Sequence, residues 1–389
     1  MRDRHPPATR TACLAFVSLV CAWLLVRVAS GSHSAPALPP APRPPAVVAN
    51  SRPTPPLSVV VLAIDGVRWQ DVFPVAPGSA GRVPQLRGEE VTPNLHRLAR
   101  TEGVLVGADA SPMLVSNRST VSLPGYSEIF SGHPPSCSSN ECPATSEPTL
   151  LDDWLQRDPS TGIAIISSWS RIPRVAARDL SRMTVSAGQS VHVHEEQFCT
   201  RAELCLRYRA GIHTDTWPGT DDYRPDRETA ALALEYLRVH EPQFLFVGLG
   251  DTDEHAHHGD FAAYLGALRA ADATLAALGT WLEGKRRQGH RTLLVCTTDH
   301  GRAQGFAHHA NAPEAARVWA LFAGSVVTAR GQLVGSGARL ADIAPTIREL
   351  LFFPDVTRAD AGKSLLPALA RDQPEFAMAR FTSTHRHQR

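Results

Sequence analysis

The sequence has almost no net charge. Its 39 lysines and arginines against 38 aspartates and glutamates leave +1. A chain without a global basic field has no footprint for a dedicated nucleic-acid partner. It also lacks a full membrane span near its start. The run Ala12 to Val26 stops at fifteen residues, short of the ~20 that a span needs. Cys21 follows Val20 rather than a small residue, which argues against a lipoprotein site. No internal repeat is apparent, and no Gly-x-Ser-x-Gly elbow marks a serine hydrolase. What the sequence does hold is 31 prolines and 17 histidines, the latter unevenly spread. With 43% hydrophobic and 20% charged residues, the composition is that of a globular chain.

Residues 1–30 read as an export signal. Arg2, Arg4 and Arg10 precede the apolar run, and Val28-Ala29-Ser30 offers small residues for cleavage. An uncleaved N-terminal membrane anchor is the alternative. Residues 31–56 form a linker with nine prolines between Pro36 and Pro56, a composition that cannot build a packed core. The expected location is periplasmic or extracellular. Residues 371–389 read as a polar tail, in which His385 and His387 are solvated rather than ligating.

From 57 to 370 the pattern alternates. Apolar, β-branched runs at 58–64, 162–166, 244–249, 292–297 and 318–323 read as buried strands. Helical stretches lie between them. One starts at Thr92-Pro93, with Thr92 as cap; others cover Phe261–Leu282 and Leu340–Phe352. Such alternation predicts an α/β fold: a mostly parallel sheet with helices on both faces. Residues 170–240 are polar and irregular and read as a cap-like insertion at the site edge. Cys137/Cys142 and Cys199/Cys205 are close pairs, expected as local disulfides in an exported protein, whereas Cys296 sits in a strand as a core thiol.

Ligands of parallel sheets bind beyond the carboxyl ends of the strands. Three apolar runs here end in acids: one in Asp65, one in Asp251 and Asp253, one in Asp299-His300. A single aspartate after a strand is ordinary turn chemistry; three, two with histidines nearby, are not. His255, His257 and His258 form one cluster, and His300, His308 and His309 the other. Asp253 and His257, four residues apart, can aim at one ion. Oxygen and imidazole donors without thiolate suit Zn²⁺, and also Mn²⁺ or Fe²⁺. Ser122 opens a short helical stretch with Pro124 in its first turn, a setting that favours an anion. Alone, Ser122 would be a plain cap; beside the metal-type residues it is the candidate nucleophile.

These segments together resemble the alkaline phosphatase superfamily, in particular its type I phosphodiesterase/nucleotide pyrophosphatase-like branch. The resemblance covers about 57–370. It rests on Val61-Leu-Ala-Ile-Asp65-Gly66, Thr92-Pro-Asn-Leu95, Ser122-Leu-Pro-Gly-Tyr-Ser-Glu-Ile-Phe-Ser-Gly132, Gly250-Asp-Thr-Asp-Glu-His-Ala-His257, Thr298-Asp-His-Gly301 and a histidine before Trp319. It implies two divalent metals. Asp253, His257 and His308 would hold one; Asp65, Asp299, His300 and the nucleophile Ser122 would hold the other. His308 is preferred to His309 on its spacing to Pro313 and Trp319. His255 is left to packing or substrate contact, and Asp251 to orienting a ligand. The implied activity is hydrolysis of a small-molecule phosphoester, mono- or diester, through a phosphoserine-type intermediate. Gly125 stands where the nucleotide-hydrolysing relatives are expected to carry a phosphate-binding asparagine, so Asn117 or Arg118 is the substitute donor to examine. A phosphotransferase or phosphomutase, a sulfatase-like hydrolase and a metal-binding non-enzyme are the rival readings. Against the sulfatase, Tyr126 occupies the place of that branch's arginine.

Overall fold

In a computed structural model of the chain, the described residues are 54–73, 88–303, 306–335, 337–354 and 358–370. The expected export segment, nearly all of the proline-rich linker and the C-terminal tail lie outside them.

Their strands are β1 (Leu57–Ile64), β2 (Gly103–Val106), β3 (Met113–Leu114), β4 (Ile163–Ser167), β5 (Thr184–Ala187), β6 (Val191–Val193), β7 (Phe244–Leu249), β8 (Arg291–Thr297), β9 (Arg317–Val318), β10 (Ala320–Ala323) and β11 (Gly331–Gln332). Nine of them make one sheet in the order β11-β2-β10-β8-β1-β7-β4-β5-β6. The central five, β8 to β5, run parallel; β10 and β6 pair antiparallel at either side. The fold is the expected α/β one.

β1 shows why its sequence has no polar alternation. All eight residues are buried, because both faces of the sheet are covered. Val59, Val61 and Ala63 enter one hydrophobic core, and Val60, Leu62 and Ile64 enter the other, as the two-residue period of a strand requires. The second core is covered by the 27-residue helix Phe261–Arg287, with Leu268, Leu275, Leu278 and Leu282 buried along one side.

Several expectations shift. Thr92 does not cap the helix Pro93–Thr101 with its side chain; its hydroxyl donates to the Gly88 carbonyl at 2.9 Å. Buried Asp272, from the long helix, accepts from the backbone N–H groups of Asn94 (3.0 Å) and Leu95 (2.8 Å) instead. The run 318–323 breaks at Trp319, since Val318 pairs with Met113 while Ala320–Ala323 joins the main sheet. The expected helix 340–352 is a 3₁₀ turn, Leu340–Asp342, and a helix, Ile343–Leu350. Residues 170–240 are not merely a cap. They supply β5 and β6 at the sheet edge and the helix Asp226–His240. Strands of four and three residues hide that role in the sequence. The disulfides pair locally as expected, Cys137–Cys142 and Cys199–Cys205, and Cys296 is a buried free thiol.

Candidate metal centre and nucleophile

Three neighbouring parallel strands deliver the acids. β1 ends in Asp65, β8 runs on to Asp299 and His300, and β7 is followed by the short helix Asp251–His257, which carries Asp253 and His257 on successive turns. That helix is anchored at its start: buried Asp226 accepts from the N–H groups of Gly250 (2.7 Å) and Asp251 (2.9 Å). Asp251 in turn accepts from the Tyr223 hydroxyl (2.8 Å) and the Asp226 N–H (3.1 Å), so it orients the helix from outside the acid cluster.

Two groups of potential ligands result. Asp65, Asp299 and His300 converge, all buried. His300 Nε2 lies 3.4 Å from Asp65 Oδ1 and 3.6 Å from Asp299 Oδ2. Its Nδ1 is 2.8 Å from the Gly301 carbonyl, a bond that places a proton there and aims Nε2 at the carboxylates. Asp253, His257 and His309 form the second group. His257 Nε2 is 3.0 Å from Asp253 Oδ2 and 3.3 Å from His309 Nε2. His309 Nδ1 donates to the Thr120 carbonyl at 2.7 Å, which turns its Nε2 into the site.

Here one expected residue changes. His309, not His308, enters the cluster: it is buried and stacks on the His300 ring at 4.0 Å, whereas His308 is exposed. His308 contributes only its backbone carbonyl, which accepts from the Ala303 N–H. The other six expected residues, Asp65, Ser122, Asp253, His257, Asp299 and His300, come together. His255 packs beside Trp217, with ring centroids 6.3 Å apart.

Ser122 is the first residue of the helix Ser122–Ser131. Its Oγ lies 3.3 Å from Asp65 Oδ1 and 3.2 Å from His300 Nε2. Glycine at 125 permits this approach. A Cβ there would stand 2.4 Å from the Asp299 carbonyl oxygen. Asn117 is engaged locally instead: its amide donates to Glu128 in the nucleophile's helix at 2.6 Å and its oxygen accepts from the Thr120 N–H in the loop before Ser122. Arg118 is exposed.

Sequence reasoning overlooked four neighbours. Tyr126 donates to Asp65 Oδ2 at 3.0 Å. Buried Glu128 gathers the N–H groups of Ser116 and Asn117. Asn140, inside the Cys137–Cys142 loop, accepts from the Leu123 N–H at 2.9 Å, next to the nucleophile. Arg302 donates to Asp253. The available signals were modest: Arg302 directly follows Asp299-His300-Gly301, and Asn140 is enclosed by a cysteine pair.

The electrostatics call for cations. Burial, then the nearby Asp65 charge, pushes the Asp299 carboxyl well above the carboxylate range. Burial alone would lower His300, but Asp299, Asp65 and Asp253 outweigh it and raise the ring to about 10. Burial and the His300 charge lower His309 to about 3, which keeps it neutral and able to ligate. Burial opposes ionisation of Asp253, yet Arg302, His257 and His300 together hold its carboxyl well below the usual range. Asp299 Oδ2 is buried with no hydrogen-bond partner. A buried carboxylate oxygen without a partner is costly, and a cation beside it removes that cost. The donor set therefore fits divalent metal.

The comparisons agree at the level of fold. The Metalloenzyme superfamily model matches residues 210–355, a segment that holds Asp253, His257, Asp299, His300 and His309. Two curated relatives are 2,3-bisphosphoglycerate-independent phosphoglycerate mutases. That of Haloquadratum walsbyi is 30% identical over 139 residues, 34% of this chain and 26% of the mutase. That of Haloarcula marismortui is 30% identical over 153 residues, 36% and 27% respectively. The matches span about a quarter of the relatives' length. Among solved structures, the phosphonate monoester hydrolase of Agrobacterium radiobacter aligns at TM-score 0.53 and 15% identity, over 82% of this chain and 78% of that one. A 2-O GAG sulfatase aligns at TM-score 0.52 and 13% identity, over 82% and 75%. At such identities the structural likeness is one of fold. The matched segment thus carries five of the candidate ligands, and the fold as a whole is shared with these hydrolases.

Proposed function

We propose that the protein is an exported, two-metal phosphoester hydrolase, a phosphatase or phosphodiesterase with Ser122 as nucleophile. One observation carries this reading: the Ser122 hydroxyl stands within 3.3 Å of both Asp65 and His300, members of the first ligand group. A serine that merely capped its helix would need no such neighbours. Zn²⁺ suits the oxygen and imidazole donors, with Mn²⁺ and Fe²⁺ as alternatives. Asp65, Asp299, His300 and Ser122 would hold one ion, and Asp253, His257 and His309 the other. When bound, the ions would supply positive charge that keeps the serine oxygen ionised and stabilises charge on the phosphate oxygens.

The chain's own residues set the geometry of the reaction. Ser122 Oγ attacks phosphorus in line, forming the Oγ–P bond as the P–O bond to the leaving alcohol breaks. Water then attacks the phosphoserine, and the Oγ–P bond breaks to restore Ser122. The Tyr126 hydroxyl and the Gly66 N–H hold Asp65 and Asp299 in position. Asn140 fixes the first turn of the nucleophile's helix through Leu123. The two disulfides fit an oxidising compartment, in line with the export reading of residues 1–30.

The partial match to phosphoglycerate mutases favours a phosphomutase as second reading. A panel of mono- and diester chromogenic substrates, with water or an added alcohol as acceptor, separates the two. Ser122→Ala is expected to lower turnover by at least ~10³-fold while retaining bound metal, since it removes the covalent route. Full activity in that variant would refute the assigned nucleophile. Turnover of aryl sulfates alone would refute the phosphoester reading.

A further inference from the structure

The two ligand groups differ in charge. Asp65, Asp299 and His300 bring two carboxylates to the first. Asp253, His257 and His309 bring one to the second, and that carboxylate is already engaged by an arginine. Arg302 donates from Nη1 to Asp253 Oδ1. Its other nitrogens are also committed: Nε donates to the Phe306 carbonyl at 2.6 Å and Nη2 to the Ala307 carbonyl at 2.9 Å. The residue is 1% exposed, and its guanidinium lies 5.9 Å from the Phe306 ring centroid. A guanidinium does not lose its proton in proteins, and this one has no room to swing away. The backbone makes space for the pair. Gly66 has φ +63°, and a Cβ there would lie 2.8 Å from Arg302 Nη1 and closer still to Asp253.

We propose that Arg302 is a permanent cation built into the metal centre, which makes its two ion subsites unequal: a divalent ion binds more weakly at Asp253–His257–His309 than at Asp65–Asp299–His300. The inference rests on the metal-centre reading above. Asp253 splits its two oxygens between partners. Oδ1 faces Arg302, while Oδ2 faces His257 and remains the ligand atom. An ion entering there meets one carboxylate, already paired with a guanidinium, and two imidazoles. An ion at the other subsite meets two carboxylates, one with a buried oxygen that has no hydrogen-bond partner. Charge close by in a poorly solvated site is felt strongly. Half-exposed His257 also leaves the weaker subsite the more open one.

The test is Zn²⁺ titration of the full chain after chelation, with bound ions counted by elemental analysis and folding checked by circular dichroism. Two binding steps at least ten-fold apart are expected. His309→Ala should abolish the weaker step and Asp299→Asn the tighter. Arg302→Met should tighten the weaker step at least ten-fold, and Arg302→Lys, which keeps the charge, should leave it near wild type. Equal steps in the wild type, loss of the weaker step in Asp299→Asn, or weaker binding in folded Arg302→Met would each overturn the proposal. If Arg302→Met does not fold, the assignment of the steps by the other two variants still decides. A wild type that binds no Zn²⁺, Mn²⁺ or Fe²⁺ would instead refute the metal reading itself.

Discussion

Replacing Gly125 with alanine should damage catalysis far more than folding. The helix Ser122–Ser131 presses on the Asp299 backbone at this residue. An added Cβ would meet the Asp299 carbonyl oxygen at 2.4 Å and the Asp299 Cβ at 3.0 Å. Ordinary contact begins near 3.4 Å, so the helix and the end of β8 must separate by about 1 Å. Overpacking of this kind costs about 1–3 kcal/mol. Alanine in a helix interior returns about 0.8–1 kcal/mol relative to glycine. The net loss of stability is therefore about 0–2 kcal/mol. The separation, however, falls between Ser122 and Asp299, and a misplacement of about 1 Å at reacting groups costs roughly 100-fold in rate. Urea denaturation and kcat/KM on a chromogenic phosphoester measure the two effects. Gly266→Ala provides the control. That residue lies in the helix Phe261–Arg287, and a Cβ there meets nothing within 4 Å. It should gain about 0.8 kcal/mol with unchanged kcat/KM. A Gly125→Ala enzyme whose kcat/KM stays within two-fold of wild type would refute the close-approach argument.

Two further outcomes are expected. The Cys137–Cys142 disulfide closes a small loop, which by chain entropy is worth about 2 kcal/mol, and holds Asn140 against the nucleophile's helix. The double variant to serine should lose about that stability in denaturant titration and also lose activity; full activity would show that Asn140 does not need the loop. His96 is buried with its Nε2 2.8 Å from the Val72 carbonyl, and burial lowers its pKa from 6.5. The unfolded chain then binds the extra proton, so the stability His96 contributes is complete above pH 6.5 and falls as pH drops below it. His96→Gln should flatten that part of the stability profile. A profile as steep as wild type would assign the acid sensitivity elsewhere.

The strand–helix alternation was legible because the sheet is covered on both faces. β1, β7 and β8 read as apolar runs that end in the acids, and the structure keeps those ends side by side. What was not legible depends on contacts across the chain. The cap of the helix Pro93–Thr101 comes from Asp272, 178 residues from Asn94. No local pattern around Thr92 carries that information. The sheet edge at β5 and β6 escaped for a different reason. Strands of four and three residues are too short to display a period, and their assignment depends on the neighbour they pair with.

The choice between His308 and His309 shows where spacing ceases to inform. In a strand, adjacent side chains point to opposite faces, so one of two neighbours can be selected by period. In an irregular loop the backbone dihedrals decide. Phe306 and Asn311, on either side of the pair, both have positive φ, 74° and 58°, and each turns the chain in a way that sequence distance cannot express. His309 is selected by its bond to Thr120, a residue itself at φ 47° in the loop before Ser122. The segment after β8 that holds His309 also carries Arg302. A net charge of +1 over the whole chain therefore conceals the decisive local count. Asp65, Asp253 and Asp299 oppose Arg302, an imbalance of two negative charges that a single divalent ion cancels and a second ion turns positive. The second ion is thus what would draw a phosphate into the site, and Arg302 both weakens its binding and adds to the positive charge the substrate meets.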